Sequence, residues 1–169
     1  MLAELEDVRL ICSELRASLS IKRCADRYLN ANWTFKDLVA HLASWAKEFR
    51  QEVETAIRGG SFDYVIPGAL SAFGPNEWNQ AEVEKRAGES LSALLEEFEV
   101  ENRALADLVV TTAEPSLRRE ARFPLSPTGE PGALFQGSPA RLIAMKLLHD
   151  RYHLGQIQLR LAQLAKEVQ

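Results

Sequence analysis

The sequence lacks the features that are typical of membrane proteins, exported proteins and proteins that bind double-stranded nucleic acid. No apolar run approaches the roughly 18 residues that a membrane-spanning helix needs. The start, MLAELEDVRL, is acidic and amphipathic, without the basic start and apolar centre of a signal peptide. With Lys+Arg 20 against Asp+Glu 24 and a net charge of −4, the chain has no basic excess to neutralise nucleic-acid phosphates. We therefore expect a cytoplasmic protein that binds neither membrane nor nucleic acid.

Cysteine is scarce, and several catalytic motifs are missing. The two cysteines, Cys12 and Cys24, are expected to be free thiols in a reducing cytosol. The sequence has no glycine-rich phosphate loop. None of Ser61, Ser71 and Ser138 lies in the Gly-x-Ser-x-Gly context of a serine hydrolase, which therefore has little support.

What the chain does contain is the composition of a globular domain, with 46% hydrophobic and 26% charged residues. Its length fits one domain with a real core, and no repeat, low-complexity tract or linker divides 1–169. Four segments carry apolar residues at steps of three and four, a spacing that predicts amphipathic helices. These helices are predicted at about 2–19, from 34 to the glycines at 59–60, at 76–110, and from 138 onward.

Capping residues define several of these boundaries. Thr34 followed by Asp37 matches a capping box, and Ser138 followed by proline suits an N-cap and first helical turn. Gly88 is a candidate break within the third predicted helix.

Two long connections, 61–77 and 111–138, join the predicted helices. The first is apolar enough to pack back on the body of the protein or line a pocket. The second is rich in proline and glycine, and a short strand is expected in it near 117–125. Together these segments predict an all-α fold: a four-helix bundle with two long connecting loops.

The three histidines all fall on helix faces that point toward the predicted core. His149 and His153 are four residues apart, so their imidazoles lie on one face and can reach one metal ion at about 2.0–2.1 Å. His41 lies on or beside the buried stripe of the second helix. The pattern predicts a three-histidine metal site with open positions for water or substrate. A single histidine on an apolar face is more often a hydrogen-bonded core residue, so a purely structural set is the plain alternative.

Other residues are candidates for contacts around such a site. Asp37, one turn before His41, is a candidate acceptor for its free ring N–H, although the capping role competes. Gln156, one turn after the histidine pair, is a candidate to orient a ligand or contact substrate, and Trp45 and Tyr152 are candidate pocket residues. No general base stands out, so the catalytic residues remain unassigned.

Known metal motifs are only partly matched. Residues 150–152 are Asp-Arg-Tyr, so the glutamate of the His-Glu-x-x-His zinc proteases is absent. No Glu-x-x-His pair of the di-iron bundles occurs either. Imidazole ligands suit zinc, nickel, iron and copper about equally, so the histidines alone do not identify the ion.

Three stretches of the chain resemble the DinB/YfiT-like superfamily. They are NWTFKDLVAHLASW (32–45), LLHDRYHLGQI (147–157) and EWNQAEVEKRAGESLSALLEEFE (77–99). Each motif is short, but their order and separation make the combination fairly specific, and the resemblance spans nearly the whole chain. It implies a four-helix bundle in an up-down-down-up type of arrangement. The metal triad of the superfamily maps onto His41, His149 and His153, and all three positions are intact.

The resemblance also implies an activity. It indicates a metal-dependent thiol S-transferase or hydrolase, in which a divalent ion activates a low-molecular-weight thiol, such as bacillithiol or mycothiol, or water, toward a small electrophilic substrate. Zinc or nickel is the first expectation for the ion, with iron or manganese as alternatives, and a homodimer is expected. Two other hypotheses remain open: a non-catalytic metal- or small-ligand-binding protein acting as a sensor or sequestering module, and a scaffold with structural histidines.

Overall fold

The structure is a computed structural model that describes residues 10, 13–14, 16–17, 25–29, 32–67, 77–126 and 134–167. Within the first predicted helix, the described residues are all helical in backbone. The rest of that helix lies outside the described residues, and so do Cys12, Cys24 and Ser71.

Helices make up most of the described residues. They are α1 (Phe35–Ile57), α2 (Glu77–Lys85), α3 (Leu91–Thr111), the short α4 (Glu114–Arg118) and α5 (Pro139–Glu167). Helix α1 is central, because it packs on α3, on α5 and on α2. The all-α prediction is confirmed. Among the described helices, none is both long and apolar enough to cross a membrane.

The third predicted helix is in fact two helices. Helix α2 ends at Lys85 and α3 begins at Leu91, so a single helix over 76–110 was wrong and the break suggested by Gly88 is present. The reason is a new N-cap: the Ser90 hydroxyl accepts a hydrogen bond from the backbone N–H of Ala93 at 3.1 Å.

The start of α1 carries the capping box that the sequence predicts. The Thr34 hydroxyl accepts from the Asp37 backbone N–H at 3.1 Å, and Asp37 Oδ2 accepts from the Thr34 backbone N–H at 2.9 Å. At the other end, Gly59 takes a φ of 76°, which favours glycine. Arg119 satisfies the last carbonyls of the helix by donating to those of Ala56 and Ile57 at 2.8 and 2.7 Å. These contacts fix both ends of the helix that carries His41.

The two long connections are partly ordered as short strands. Strand β1 (Ile66–Pro67) pairs in parallel with β3 (Leu125–Ser126), and β2 (Ala121–Phe123) pairs antiparallel with β4 (Phe135–Gly137). The strand expected near 117–125 is therefore present in part, although its first residues belong to α4. The β1–β3 pairing joins the two connections to each other. It also satisfies backbone N–H and C=O groups that an unpaired loop would leave to water.

The core is built mainly from apolar residues of α1, α3 and α5, with Phe123, Leu125 and Phe135 of the strands packed against it. Three charged residues are also fully or almost fully buried: Glu52 at 0%, Lys146 at 0% and Asp150 at 1% exposure. Because ionised groups are rarely buried unpaired, each of these needs a physical explanation.

Glu52 lies on α1, and neither of its carboxylate oxygens has a hydrogen-bond donor within the described part of the chain. Burial raises its pKa well above the usual value, and the negative charge of Glu48, one turn earlier, raises it further. The Tyr64 hydroxyl donates to Glu48 at 2.5 Å. The folded structure therefore favours the protonated form of Glu52.

Replacing Glu52 by glutamine should change how stability depends on pH. Because the folded state raises the pKa of Glu52, folding stability falls as pH rises above the unfolded value of about 4.3. Glutamine does not titrate, and it has nearly the shape of the protonated acid. We expect Glu52→Gln to raise the free energy of unfolding by about 1–2 kcal/mol at pH 8 and to have little effect near pH 4.

The measurement is a series of urea denaturation curves between pH 4 and pH 8. Glu89→Gln makes the same chemical change at an exposed glutamate and is the matched control. Equal pH dependence of the two variants would contradict the assignment of Glu52 as a buried neutral acid.

Candidate metal centre

Helices α1 and α5 bring the three histidines together inside the bundle. Nε2 of His41 lies 3.0 Å from Nε2 of His149 and 3.2 Å from Nε2 of His153. The three side chains are only 1%, 3% and 4% exposed. One candidate ligand atom from each residue lies within 4.8 Å of the others, a group able to hold a metal ion.

The outer ring nitrogens show where the imidazole protons are. Nδ1 of His149 lies 3.2 Å from Oδ1 of Asp150, and Nδ1 of His153 lies 2.8 Å from Oε1 of Gln156. A carboxylate or amide oxygen can only accept, which assigns the proton to Nδ1 in both rings. The Nε2 atoms of these two rings then carry lone pairs, and both lone pairs point toward His41.

This arrangement of nitrogens fits a metal ion. Lone pairs about 3 Å apart repel one another unless a proton or cation lies between them. Two imidazoles bound to one ion at about 2.0–2.1 Å, with an angle of about 90–105° between them, have nitrogens about 2.9–3.3 Å apart. The two distances from His41 fall within this range. Three neutral imidazoles also leave coordination positions for other ligands.

The electrostatics of the site favour the neutral form of His41 and of His153. Burial lowers the pKa of His41 well below its ordinary value, and the charges that His149 and His153 would carry lower it further. Burial lowers the pKa of His153 to about 3, with His149 again adding to the effect and the hydrogen bond that His153 donates to Gln156 opposing it. Neutral imidazole is the form that binds metal.

Aromatic rings surround the cluster. The Trp33 ring lies 4.8 Å from that of His41, and the Trp45 ring lies 5.9 Å from that of His149, centroid to centroid. Trp45 also donates from Nε1 to Oδ1 of the buried Asn79 at 2.8 Å. Trp45, a candidate pocket residue from the sequence, therefore packs beside the histidines with its polar atom directed to α2.

The other candidates from the sequence are placed differently. Gln156 contacts His153 directly and donates from Nε2 to the Tyr152 hydroxyl at 3.1 Å, while Tyr152 is 44% exposed. Asp37 needs a correction, because its carboxylate accepts from Thr34 and makes no bond to His41 in the described structure. A helical side chain leans toward the N-terminus, so the cap wins this competition.

Sequence reasoning missed two charged residues beside His149. Asp150 accepts from His149, and its other oxygen is bound by Lys146. Burial alone would raise the pKa of Asp150, but the charge of Lys146 and the contact with His149 outweigh it and hold that pKa below its usual value. The available signal was the four-residue spacing of Lys146 and Asp150, typical of a helical ion pair.

A surface groove of about 490 Å³ lies elsewhere, between α1, α2 and α3. Its lining contains none of the three histidines. Arg86 in this groove is engaged by Glu82 and Glu97 at 2.8 and 2.7 Å. The Arg86 guanidinium is therefore already paired, and we do not assign the function to this groove.

Comparison with known proteins gives one family match and several similar folds. Residues 11–141 match the family described as the mycothiol maleylpyruvate isomerase N-terminal domain. This match includes His41 and ends before His149 and His153. No curated protein matches the chain by sequence alone.

Two solved structures illustrate the fold. One is YfiT from Bacillus subtilis, described as a probable metal-dependent hydrolase with an unusual four-helix bundle topology. It is 13% identical with a TM-score of 0.73, over 96% of this chain and 86% of that one. The other is the mycothiol-dependent maleylpyruvate isomerase, 18% identical with a TM-score of 0.68, over 92% of this chain and 59% of that one. At these identities the similarity shows a shared fold, the four-helix bundle that the sequence predicts.

Proposed function

Because the chain belongs to the mycothiol maleylpyruvate isomerase N-terminal domain family, within the DinB/YfiT-like superfamily, we propose that it is a metal-dependent enzyme. His41, His149 and His153 would hold the ion, with zinc or nickel expected first. The observation that carries this proposal is the convergence of three histidine Nε2 atoms: those of His149 and His153 lie 3.0 and 3.2 Å from that of His41.

The proposed reaction is transfer of a low-molecular-weight thiol to a small electrophile. A bound divalent ion supplies Lewis acidity, which lowers the pKa of a thiol or water. In the transfer the sulfur forms a bond to an electrophilic carbon, the thiol proton goes to solvent, and a leaving group departs with its bonding electrons. In an isomerisation, the sulfur adds to the substrate and later leaves it.

The protein's own residues prepare the site for this chemistry. Asp150 and Gln156 fix the ring orientation and tautomer of His149 and His153. The proton of each ring is on Nδ1, so Nε2 is unprotonated. Trp33 and Trp45 exclude water from one side of the cluster, which strengthens electrostatic interactions there.

Thiol chemistry suits the site better than hydrolysis does. A thiol has a pKa near 8.5 and water near 15.7, so a thiol needs a far smaller shift to become nucleophilic at pH 7 and needs no separate base. One of the structural neighbours is described as mycothiol-dependent, which supports a thiol cosubstrate. Hydrolysis of a small electrophile is the alternative reaction.

A non-catalytic role is a second candidate. The three histidines are at most 4% exposed, and such burial suits a protein that holds an ion without turnover. The assays below separate the two roles, because both require bound metal and only one gives a product.

Metal binding should depend on His41. We expect the wild-type protein to bind one divalent transition-metal ion per chain. His41→Ala should weaken that binding by at least about 100-fold, because losing a metal ligand should cost more affinity than losing a residue that only hydrogen-bonds to a ligand. Isothermal titration with Zn²⁺ and Ni²⁺ measures the affinity. Ser44→Ala is the control, because this buried hydroxyl of the same helix only bonds the carbonyl of Ala40 at 2.8 Å. Binding of metal by His41→Ala with wild-type affinity would contradict the proposed ligand set.

Thiol transfer should require the same ion. We expect metal-loaded protein to accelerate the reaction of mycothiol or bacillithiol with monobromobimane by at least about 10-fold, and the isomerisation of maleylpyruvate with mycothiol is a second assay. Chelator-treated protein and His41→Ala should fall to the background rate, while Ser44→Ala should retain the activity. Stoichiometric metal without turnover of any thiol would instead favour the binding role.

A further inference from the structure

We infer that Asp150 and Lys146 act together as positioning residues for His149, and that they set the affinity of the site for its ion. This inference rests on the proposed metal-binding function. It concerns Asp150 and Lys146, which are not among the three proposed metal ligands.

The geometry connects the three residues within one turn of α5. Lys146 Nζ binds Oδ2 of Asp150, and the second oxygen, Oδ1, lies 3.2 Å from Nδ1 of His149. Lys146 Nζ also lies 5.4 Å from the centre of the Phe98 ring. Each carboxylate oxygen therefore has its own partner, so the carboxylate is held in one orientation.

Stability does not explain such a pair. Lys146 is 0% exposed and Asp150 is 1% exposed, so both charges have lost their water. An apolar pair of similar volume would serve the core as well or better, because the desolvation of two buried ions often exceeds their attraction. The pair lies beside His149, a proposed metal ligand. The Asp150 carboxylate is directed at Nδ1 of His149, the ring nitrogen that does not face His41.

The three histidines differ in how they are held, which makes His149 distinctive. His153 has a neutral amide, that of Gln156, as its Nδ1 partner. His41 has the neutral side chain of Asn79 as its polar neighbour, although its Nδ1 makes no hydrogen bond of ordinary geometry within the described residues. Among these three contacts, only that of His149 brings a carboxylate to the ring. An N–H donated to a carboxylate makes the opposite nitrogen a better electron donor to a cation, and fixes its direction.

Lys146 keeps the carboxylate in place for this contact. Without the ammonium group of Lys146, Oδ2 of Asp150 would be a buried acceptor with no donor among the contacts above. The Asp150 side chain would then be drawn toward other donors. We therefore treat the lysine and the aspartate as one unit and change both together. Changing Asp150 alone would leave a buried, unpaired ammonium and could unfold the protein.

Two double variants separate the charge from the hydrogen bond. K146M/D150L removes both charges and the acceptor, with side chains of similar volume. K146M/D150N removes the charges, yet its amide oxygen can still accept from His149. The control, R50M/E101Q, removes an ion pair between α1 and α3 that is partly buried and not in contact with the histidines. Circular dichroism without metal establishes that each variant is folded.

The readouts are the dissociation constant for Zn²⁺, by competition with a chromophoric chelator, and the visible absorption spectrum of the Co²⁺-loaded protein. We expect K146M/D150L to bind Zn²⁺ about 10- to 100-fold more weakly and to shift the Co²⁺ bands. K146M/D150N should lose less than that, and R50M/E101Q should stay within about twofold of wild type.

The outcomes distinguish this inference from the proposed function. A wild-type protein that binds no metal overturns the proposed function and the inference with it. A wild-type protein that binds metal, together with a K146M/D150L variant of equal affinity and unchanged Co²⁺ bands, overturns the inference alone. If K146M/D150L does not fold, a K146M/D150N variant with wild-type affinity and spectrum overturns it in the same way.

Discussion

The convergence of three imidazole Nε2 atoms between α1 and α5 is the constraint on which the rest of the account depends. Nε2 of His149 and Nε2 of His153 lie 3.0 and 3.2 Å from Nε2 of His41, and lone pairs facing one another at such distances repel unless a proton or a cation lies between them. Helix packing must hold them there. Both helices are fixed at their starts, α1 by the capping box of Thr34 and α5 by the cap at Ser138. A cation between the nitrogens converts this repulsion into binding energy.

The surroundings of the histidines form a graded set of supports. His149 has a carboxylate whose charge is balanced by Lys146, and His153 has an amide that continues to the half-exposed Tyr152. Tryptophan rings pack on the side where α1 and α2 meet. The buried charges near the site thus have partners that explain them. For Glu52, farther along α1, burial and the neighbouring Glu48 instead favour the protonated form.

The sequence predicted those features that depend on local spacing. The capping box, the break near Gly88 and the shared helix face of His149 and His153 were all predicted from helix geometry. Each is present in the structure. Features that depend on which elements meet were not predictable in this way. The parallel pairing of β1 with β3 joins residues far apart in the chain. The contact of His41 with α5 also joins distant residues, and it was expected from the inward faces of all three histidines and from the family resemblance. Asp37 was assigned wrongly because two acceptor roles fitted its position, and only the three-dimensional structure shows which donor it meets.

X-ray absorption spectroscopy of the metal-loaded protein tests the central claim most directly, because it reports the atoms bound to the ion. The account predicts three imidazole nitrogens at about 2.0–2.1 Å, with the remaining ligands being light atoms from solvent. Adding the thiol cosubstrate should replace a light atom by sulfur at about 2.3 Å. A coordination shell with fewer than three imidazoles, or one dominated by carboxylate oxygens, would contradict the account.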